Sequence, residues 1–334
     1  MGKARFVTRH LFPSQEHLRG FSRALFSTWL FHRRFNILFD AGEGVATMLL
    51  NRVFGIRRVL LSHGHADHIA GLINLVNLRN LGAGDQTATL EIFYPRGNRL
   101  IELMKQYLSQ TQNELSFQLS WQSLEAGQVI DLDPKRGKTF VRTFGTQHSQ
   151  KQLSLGFNII ETRRRLRSEF QGKSQLEINQ AIRQLGKDQV AENFEQIIFT
   201  YGGDSRPINP EHVKDSLLLC HESTYLNNND DERNFQQHSV LDEVLKVAKA
   251  AEVRSLLLFH LSLRYSHEEI RQAVMEACAR IQPGCRVLVL HGDRFFDPAE
   301  SGYSRRHGRI EDQETAEVEE EDDEPMVSMR EEVD

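Results

Sequence analysis

Only three cysteines occur in 334 residues, Cys220, Cys278 and Cys285, and their spacing is irregular. That excludes a disulfide framework or a cysteine-rich zinc module, leaving the thiols as small hydrophobes. Runs of eighteen or more apolar residues are absent, so no segment reads as a membrane-spanning helix. The opening MGKARFVTRHLFPSQ lacks the continuous apolar core of a secretory signal. The expectation is a cytoplasmic chain with no membrane partner. Internal repeats and long proline- or glycine-rich linkers are also missing before Gly308, which predicts a single folded domain over 1–307.

What is present is unevenly charged. The net charge is −5, yet the segment from Gly308 to Asp334 carries thirteen acidic residues against Arg309 and Arg330. That segment therefore holds −11 and leaves +6 on residues 1–307. The tail over 308–334, with EVEEEDDEPMVSMREEVD at its end, is too acidic and too poor in apolar residues to fold alone and is expected to be disordered. A mildly basic body suits a polyanionic partner, and the tail would compete with that partner for the basic surface.

Short apolar runs alternate with helical patterns, which predicts an α/β or layered α+β fold. Strands are expected at RFNILFD, IRRVLLS, LEIFYP, FVRTFGT, LGFNIIE, EQIIFTY, SLLLCHE, RSLLLFH and CRVLVLH. Helices are expected at IAGLINLVNLRN, GNRLIELMKQYLSQTQ, LEINQAIRQLGKDQVAENF, SVLDEVLKVAKAA and HEEIRQAVMEACARI. Several strands end directly on a polar residue: Asp40, His63, Asp204, Glu222 and His260. Strand ends that share one edge of a sheet converge, so these distant residues can line one cleft.

The stretch LLSHGHADHIAGL concentrates the chemistry. His63 and His65 lie two apart and project to the same side in extended chain, so they can grip one ion. Asp67 and His68 follow where the chain turns into a helix and offer a second pair of ligands. Imidazole and carboxylate without thiolate favour zinc, with manganese or iron also compatible. Asp40, in DAGEG, reads as a residue behind the ligands that accepts hydrogen bonds from imidazoles or loop amides, with Gly42 and Gly44 permitting the turn around it.

HGHADH resembles the His-x-His-x-Asp-His signature of the metallo-β-lactamase superfamily. DAGEG at 40–44, IFYPRG at 92–97, GGDS at 202–205, HEST at 221–224, QHS at 237–239 and HLSLRY at 260–265 resemble, in that order, the motifs of ribonuclease Z. The resemblance runs from about Phe26 to Tyr265. It implies a four-layer αβ/βα sandwich with a metal centre along one edge, and removal of the 3′ trailer from precursor tRNA to leave a 3′-hydroxyl. It further implies two zinc ions per chain, one held by His63, His65 and His148, the other by Asp67, His68 and His260, with Asp204 bridging. A hydroxide held between the metals would attack the phosphodiester, Asp67 could take the proton of its parent water, and His238, oriented by Glu222, would protonate the departing ribose oxygen. Ser262 and Arg264 become candidate phosphate contacts, Arg264 equally a structural ion-pair partner.

The pattern departs from that family in two places. The N-terminal MGKARFVTRHLFPSQEHLRG replaces the short Gly-Thr opening expected before the first strand. The family's long arm grips the tRNA elbow across a homodimer, whereas here the 56 positions from His148 to Asp204 show no Gly/Pro-rich arm tip. A reduced or altered arm is expected, with Arg163, Arg164, Arg165 and Arg167 as its basic surface or as a solvated face. Two other functions compete with precursor tRNA cleavage. One keeps the metal centre but cuts a small phosphodiester, a cyclic nucleotide, or an aryl sulfate or other ester. The other is a catalytically silent RNA-binding scaffold, against which the complete set of seven ligands argues.

Overall fold

The computed structural model describes residues 17–82, 89–111, 114–133, 137–149, 151–227 and 237–300. The acidic tail over 308–334, and with it the expectation of disorder, lies outside the described residues.

Two sheets face each other. The first orders β1 (Leu18–Arg23), β2 (Ser27–His32), β3 (Ile37–Phe39), β4 (Arg58–Leu60), β5 (Leu90–Pro95) and β6 (Leu119–Leu124) in sequence. The second has eight strands, in the order β14 (Arg294–Phe296), β13 (Arg286–His291), β12 (Ser255–Phe259), β11 (Leu219–Glu222), β10 (Ala191–Tyr201), β9 (Ser154–Leu166), β8 (Thr139–Thr146) and β7 (Val129–Asp131). Large apolar side chains fill the space between the sheets, among them Leu30, Phe39, Phe157, Phe199, Tyr201 and Phe259. α1 (Val45–Leu49), α3 (Leu72–Gly82) and α4 (Arg99–Thr111) cover the outer face of the first sheet, burying Val45, Leu72, Val76, Ile101 and Leu108. α7 (Leu241–Ala250) and α8 (His267–Ile281) cover the second, burying Leu241, Val244, Ile270 and Val274. This is the expected four-layer αβ/βα sandwich.

The expected strands all form, and the sequence reading missed others for a physical reason. β6 is half exposed, and β7 and β14 are three-residue edge strands, so none of these carries a clean apolar period; β1 and β2 were missed as well, although β1 alternates and β2 is wholly buried. Helix starts were more legible. Ser266 accepts from the Glu269 amide and Glu269 answers the Ser266 amide at 2.7 Å, so α8 begins where the capping box places it.

The helix expected over 176–194 divides. α5 (Gln175–Leu185) ends at Gly186, α6 (Lys187–Val190) is a single turn, and residues 191–194 pair with β9 as the start of β10. Beyond Glu161, where β8 stops pairing, β9 and β10 continue as a two-stranded ribbon tipped by α5 and α6. α5 buries none of its side chains. The altered arm is therefore a helix-tipped hairpin, which is why no Gly/Pro tip marks it.

Candidate metal centre and active site

Parallel pairing of β3, β4 and β5, and of β10, β11, β12 and β13, points these strands' C-terminal ends to one edge. Asp40 follows β3, His63 and His65 follow β4, Asp204 follows β10, Glu222 ends β11 and His260 follows β12. β8 runs the same way, because it is antiparallel to β9, and delivers His148. α2 (Ala66–Ile69) carries Asp67 and His68. All seven expected ligands meet: donor atoms of His63, His65, His148 and Asp204 lie within 4.8 Å of one another, as do those of Asp67, His68 and His260. Asp204 Oδ2 stands between the two groups, 3.8 Å from His63 Nε2 and 3.2 Å from both His68 Nε2 and His260 Nε2.

Backbone geometry holds this cluster under strain. Asp40 and His260 adopt left-handed φ values of 53° and 57°, a region that bulky L-residues avoid. Gly44, at φ 77°, makes the expected turn, but Gly42 serves a different purpose. A Cβ there would meet the Asp67 carbonyl oxygen at 2.3 Å, so glycine is what lets the two ligand loops touch.

The hydrogen bonds on the far side of each ring decide what faces inward. A carboxylate only accepts, so His68 Nδ1 donates to Asp40 Oδ2 at 2.7 Å. Ser62 Oγ donates to Asp40 Oδ2 at 2.7 Å and therefore accepts from His63 Nδ1 at 3.0 Å. Thr224 Oγ1 donates to Glu222 Oε2 at 2.8 Å and so accepts from His260 Nδ1 at 3.0 Å. His148 Nδ1 donates to the Gln237 carbonyl at 2.9 Å. Each ring thus turns its Nε2 to the centre, where His260 Nε2 also meets Asp67 Oδ2 at 3.3 Å. There His63 Nε2, His68 Nε2 and Asp204 Oδ1 are buried without any hydrogen-bond partner, and His148 Nε2 lies 3.1 Å from His65 Nδ1. Buried inward nitrogens and a carboxylate oxygen left without a partner suit a divalent cation, and this donor set fits one at each group.

Charge agrees. Burial opposes a charged His68, yet the Asp204 and Asp40 carboxylates raise its pKa well above the ordinary value, so the pocket draws positive charge. Burial and the neighbouring His68 hold His63 well below its ordinary value, which keeps it a neutral ligand.

Beside the cluster, His238 Nδ1 lies 2.8 Å from Glu222 Oε1. Glu222 also accepts from the Ser205 and Thr224 amides at 3.0 and 2.9 Å, so its carboxylate is fixed. Burial works against a charged His238, but the charge and hydrogen bond of Glu222 prevail and raise it to about 9. At neutral pH it carries a proton next to the cluster.

Other expected residues lie elsewhere. Ser262 and Arg264 are on the surface loop after His260, with the Arg264 guanidinium 5.9 Å from the centre of the Tyr225 ring. Arg163, Arg164, Arg165 and Arg167 stand on the arm, remote from the cluster. Arg163 pairs with Glu161 at 2.8 Å, Arg165 with Glu192 at 2.8 Å, Arg164 with Asp188, and Arg167 reaches the Asp188 carbonyl. Sequence reasoning missed Ser62, Thr224 and Tyr201, whose hydroxyl donates to Asp40 Oδ2 at 2.7 Å. Each borders a residue already singled out, but single hydroxyls carry no pattern of their own.

A beta-lactamase superfamily domain model matches residues 35–167, the stretch that contains HGHADH. Fold, site and match define the class: the chain is a metal-dependent hydrolase with the metallo-β-lactamase fold. Within that class it is ribonuclease-Z-like. It is 28% identical to the ribonuclease Z of Haloferax volcanii over 294 residues, 80% of this chain and 90% of the relative. It is 26% identical to that of Pyrococcus furiosus over 264 residues, 72% and 82% of the two chains. Among solved structures, human tRNase Z, short form, superposes with a TM-score of 0.56 at 18% identity, covering 85% of this chain and 99% of that one. A metallo-β-lactamase fold protein from Bacillus subtilis gives 0.55 at 17% identity, covering 84% and 98%.

Proposed function

We propose that the protein is a dinuclear zinc endoribonuclease that removes the 3′ trailer of precursor tRNA. The observation that carries the reading is the Glu222–His238 pair, protonated and set beside a cluster of histidines and carboxylates that could hold metal ions. Bound zinc would supply Lewis acidity, polarising the scissile phosphate and acidifying a water. His63, His65 and His148 would hold one ion, Asp67, His68 and His260 the other, with Asp204 between them. The remaining chemistry belongs to side chains. Asp67 would accept the proton of the attacking water. His238 would deliver its Nε2 proton to the departing ribose oxygen, while Glu222 holds the ring in place and stabilises its charge. Asp40 would keep His68 and, through Ser62, His63 in the ligating tautomer.

A large substrate is favoured over a small diester by the arm. β10 runs from Ala191 to Tyr201 before reaching the cluster, and at about 3.4 Å per residue that puts the start of the tip roughly 34 Å away. Only a macromolecule could touch both. Ser262 and Arg264 would contact phosphate near the cut, and the arm's arginines would meet the substrate farther off. We further read the protein as a cytoplasmic homodimer, a state supported by exposed Met48, Leu50, Leu78 and Leu81 on α1, α3 and the turn that follows α1. Light scattering at twice the chain mass is the expected result.

The decisive experiment incubates purified protein with a precursor tRNA carrying a trailer and, separately, with bis-p-nitrophenyl phosphate. Cleavage of the RNA at the base of the trailer is expected. Hydrolysis of the small diester alone would overturn the tRNA assignment and leave a small-ester phosphodiesterase.

A further inference from the structure

The turn between β1 and β2 places apolar side chains in solvent at the rim of the centre. Arg23 pairs with Ser27, leaving Ala24, Leu25 and Phe26 as a three-residue loop. Leu25 is 83% exposed and Phe26 61%. Leu25 has φ 70°, a position at which hairpins ordinarily place glycine or asparagine. A leucine held there is strained and solvated at once, with no packing in return. The loop is nonetheless fastened to the metal centre. The His260 amide donates to Ser22 Oγ at 2.8 Å, the Ala24 amide to the Leu261 carbonyl at 3.3 Å, and Ser27 Oγ to the Glu43 carbonyl at 2.8 Å.

A second, independent feature adjoins it. Arg23 donates to His291 Nε2 at 3.1 Å, and His291 stacks on His267 at 6.1 Å. Arg294 pairs with His291 across the β13–β14 hairpin, and Ser22 bridges to Gly292. Burial and then the Arg23 charge push His291 down to about 4, a sign of positive potential among these groups. The acids nearby are Glu43, exposed beside the tip, Asp293, in the hairpin turn, and Glu268, which Arg271 binds at 3.1 Å. An aromatic tip flanked by cations suits single-stranded nucleic acid: bases stack on the ring while arginines meet the backbone.

From this juxtaposition we propose that the β1–β2 tip and the Arg23–His291–Arg294 cluster bind the single-stranded trailer on the 3′ side of the scissile phosphate. The inference rests on the RNA reading above. The arm leaves the second sheet through β9 and β10, whereas the tip stands beyond β12, against β13. An RNA held by the arm and cut at the cluster continues toward the tip. A protein partner on the same patch is the competing occupant, and the test separates the two.

The test uses full-length protein and one precursor tRNA body with trailers of one and of eight or more nucleotides. In the wild-type protein KM is expected to be about fivefold or more lower for the long trailer, since stacking of even one base contributes at least that much. Phe26→Ser and Arg23→Ala should each erase most of that dependence on trailer length, and Leu25→Gly should weaken it without lowering Tm, because it removes the left-handed strain. Fluorescence anisotropy of a labelled single-stranded oligonucleotide should show the same loss, and its affinity should fall as salt rises. If the wild-type protein cuts both RNAs but the variants keep its trailer dependence, the inference is overturned and the RNA reading stands. A changed assembly mass for Phe26→Ser with unchanged oligonucleotide affinity would also overturn it, assigning the patch to protein. Failure of the wild-type protein to cut either RNA would instead remove the reading on which the inference rests.

Discussion

A hydroxyl has one proton to donate, and at Thr224 that proton goes to Glu222. The oxygen can therefore only accept from His260, and this single atom links a proposed metal ligand to the proposed acid pair. Thr224→Val should weaken metal binding about 10- to 100-fold, as loss of a ligand-orienting partner does. Thr224→Ser should restore it, and competition with a chromophoric chelator measures both. His238→Ala is expected to separate the acid from the metals. Turnover of RNA should fall by about 10² to 10⁴, the usual worth of a general acid, with metal content kept. Hydrolysis of bis-p-nitrophenyl phosphate should fall far less, because p-nitrophenolate departs without a proton. Loss of metal in this variant, measured by elemental analysis, would instead make His238 a ligand, a role its place beside Asp204 and His260 allows.

Among the elements, the arm is the most separable. Leu166 and Ala191 face each other in register, and α5 buries no side chain. Phe170 and Val190, the buried residues near the tip, lie inside the segment that would be cut out. Replacing residues 167–190 by Asn-Gly closes the ribbon with a two-residue hairpin turn. Tm should move by only a few degrees. KM for precursor tRNA should rise about tenfold or more, since the lost contacts are electrostatic and scale with the phosphates met, while the small diester should be cut at the unaltered rate. An unchanged KM for the RNA would show that the arm does not grip the substrate.

For the whole molecule, a metal bound at the centre would also brace the two sheets, since its proposed ligands come from β4 and α2 on one side and β8, β10 and β12 on the other. Chelation should therefore destabilise the fold as well as stop turnover. Ligand held at about a thousand times its Kd contributes about 4 kcal/mol, so calorimetry with and without chelator should show Tm lower by roughly 10 °C. Equal Tm values would mean that the pocket holds no tightly bound cation.

The sequence by itself determined the local chemistry and the layered class of the fold. HGHADH sits at a strand end because an apolar run precedes it and a helical period follows. α8 begins where Ser266 and Glu269 form a capping box, and alternating strand and helix patterns required a layered fold. Such features are carried by neighbours within a few residues, which is why they were legible. Tertiary structure decided the rest, because it depends on contacts between residues far apart in the chain. Only the fold aims the Nδ1 protons of His63, His68, His148 and His260 outward, leaves the Nε2 atoms of His63 and His68 without a hydrogen-bond partner beside Asp204, and raises His238 by setting it against Glu222. Only the fold makes the arm's tip helical and turns Leu25 and Phe26 outward beside the centre. A sequence states which groups a chain owns, whereas a lone pair's direction and a carboxylate's field exist only once distant strands are packed together.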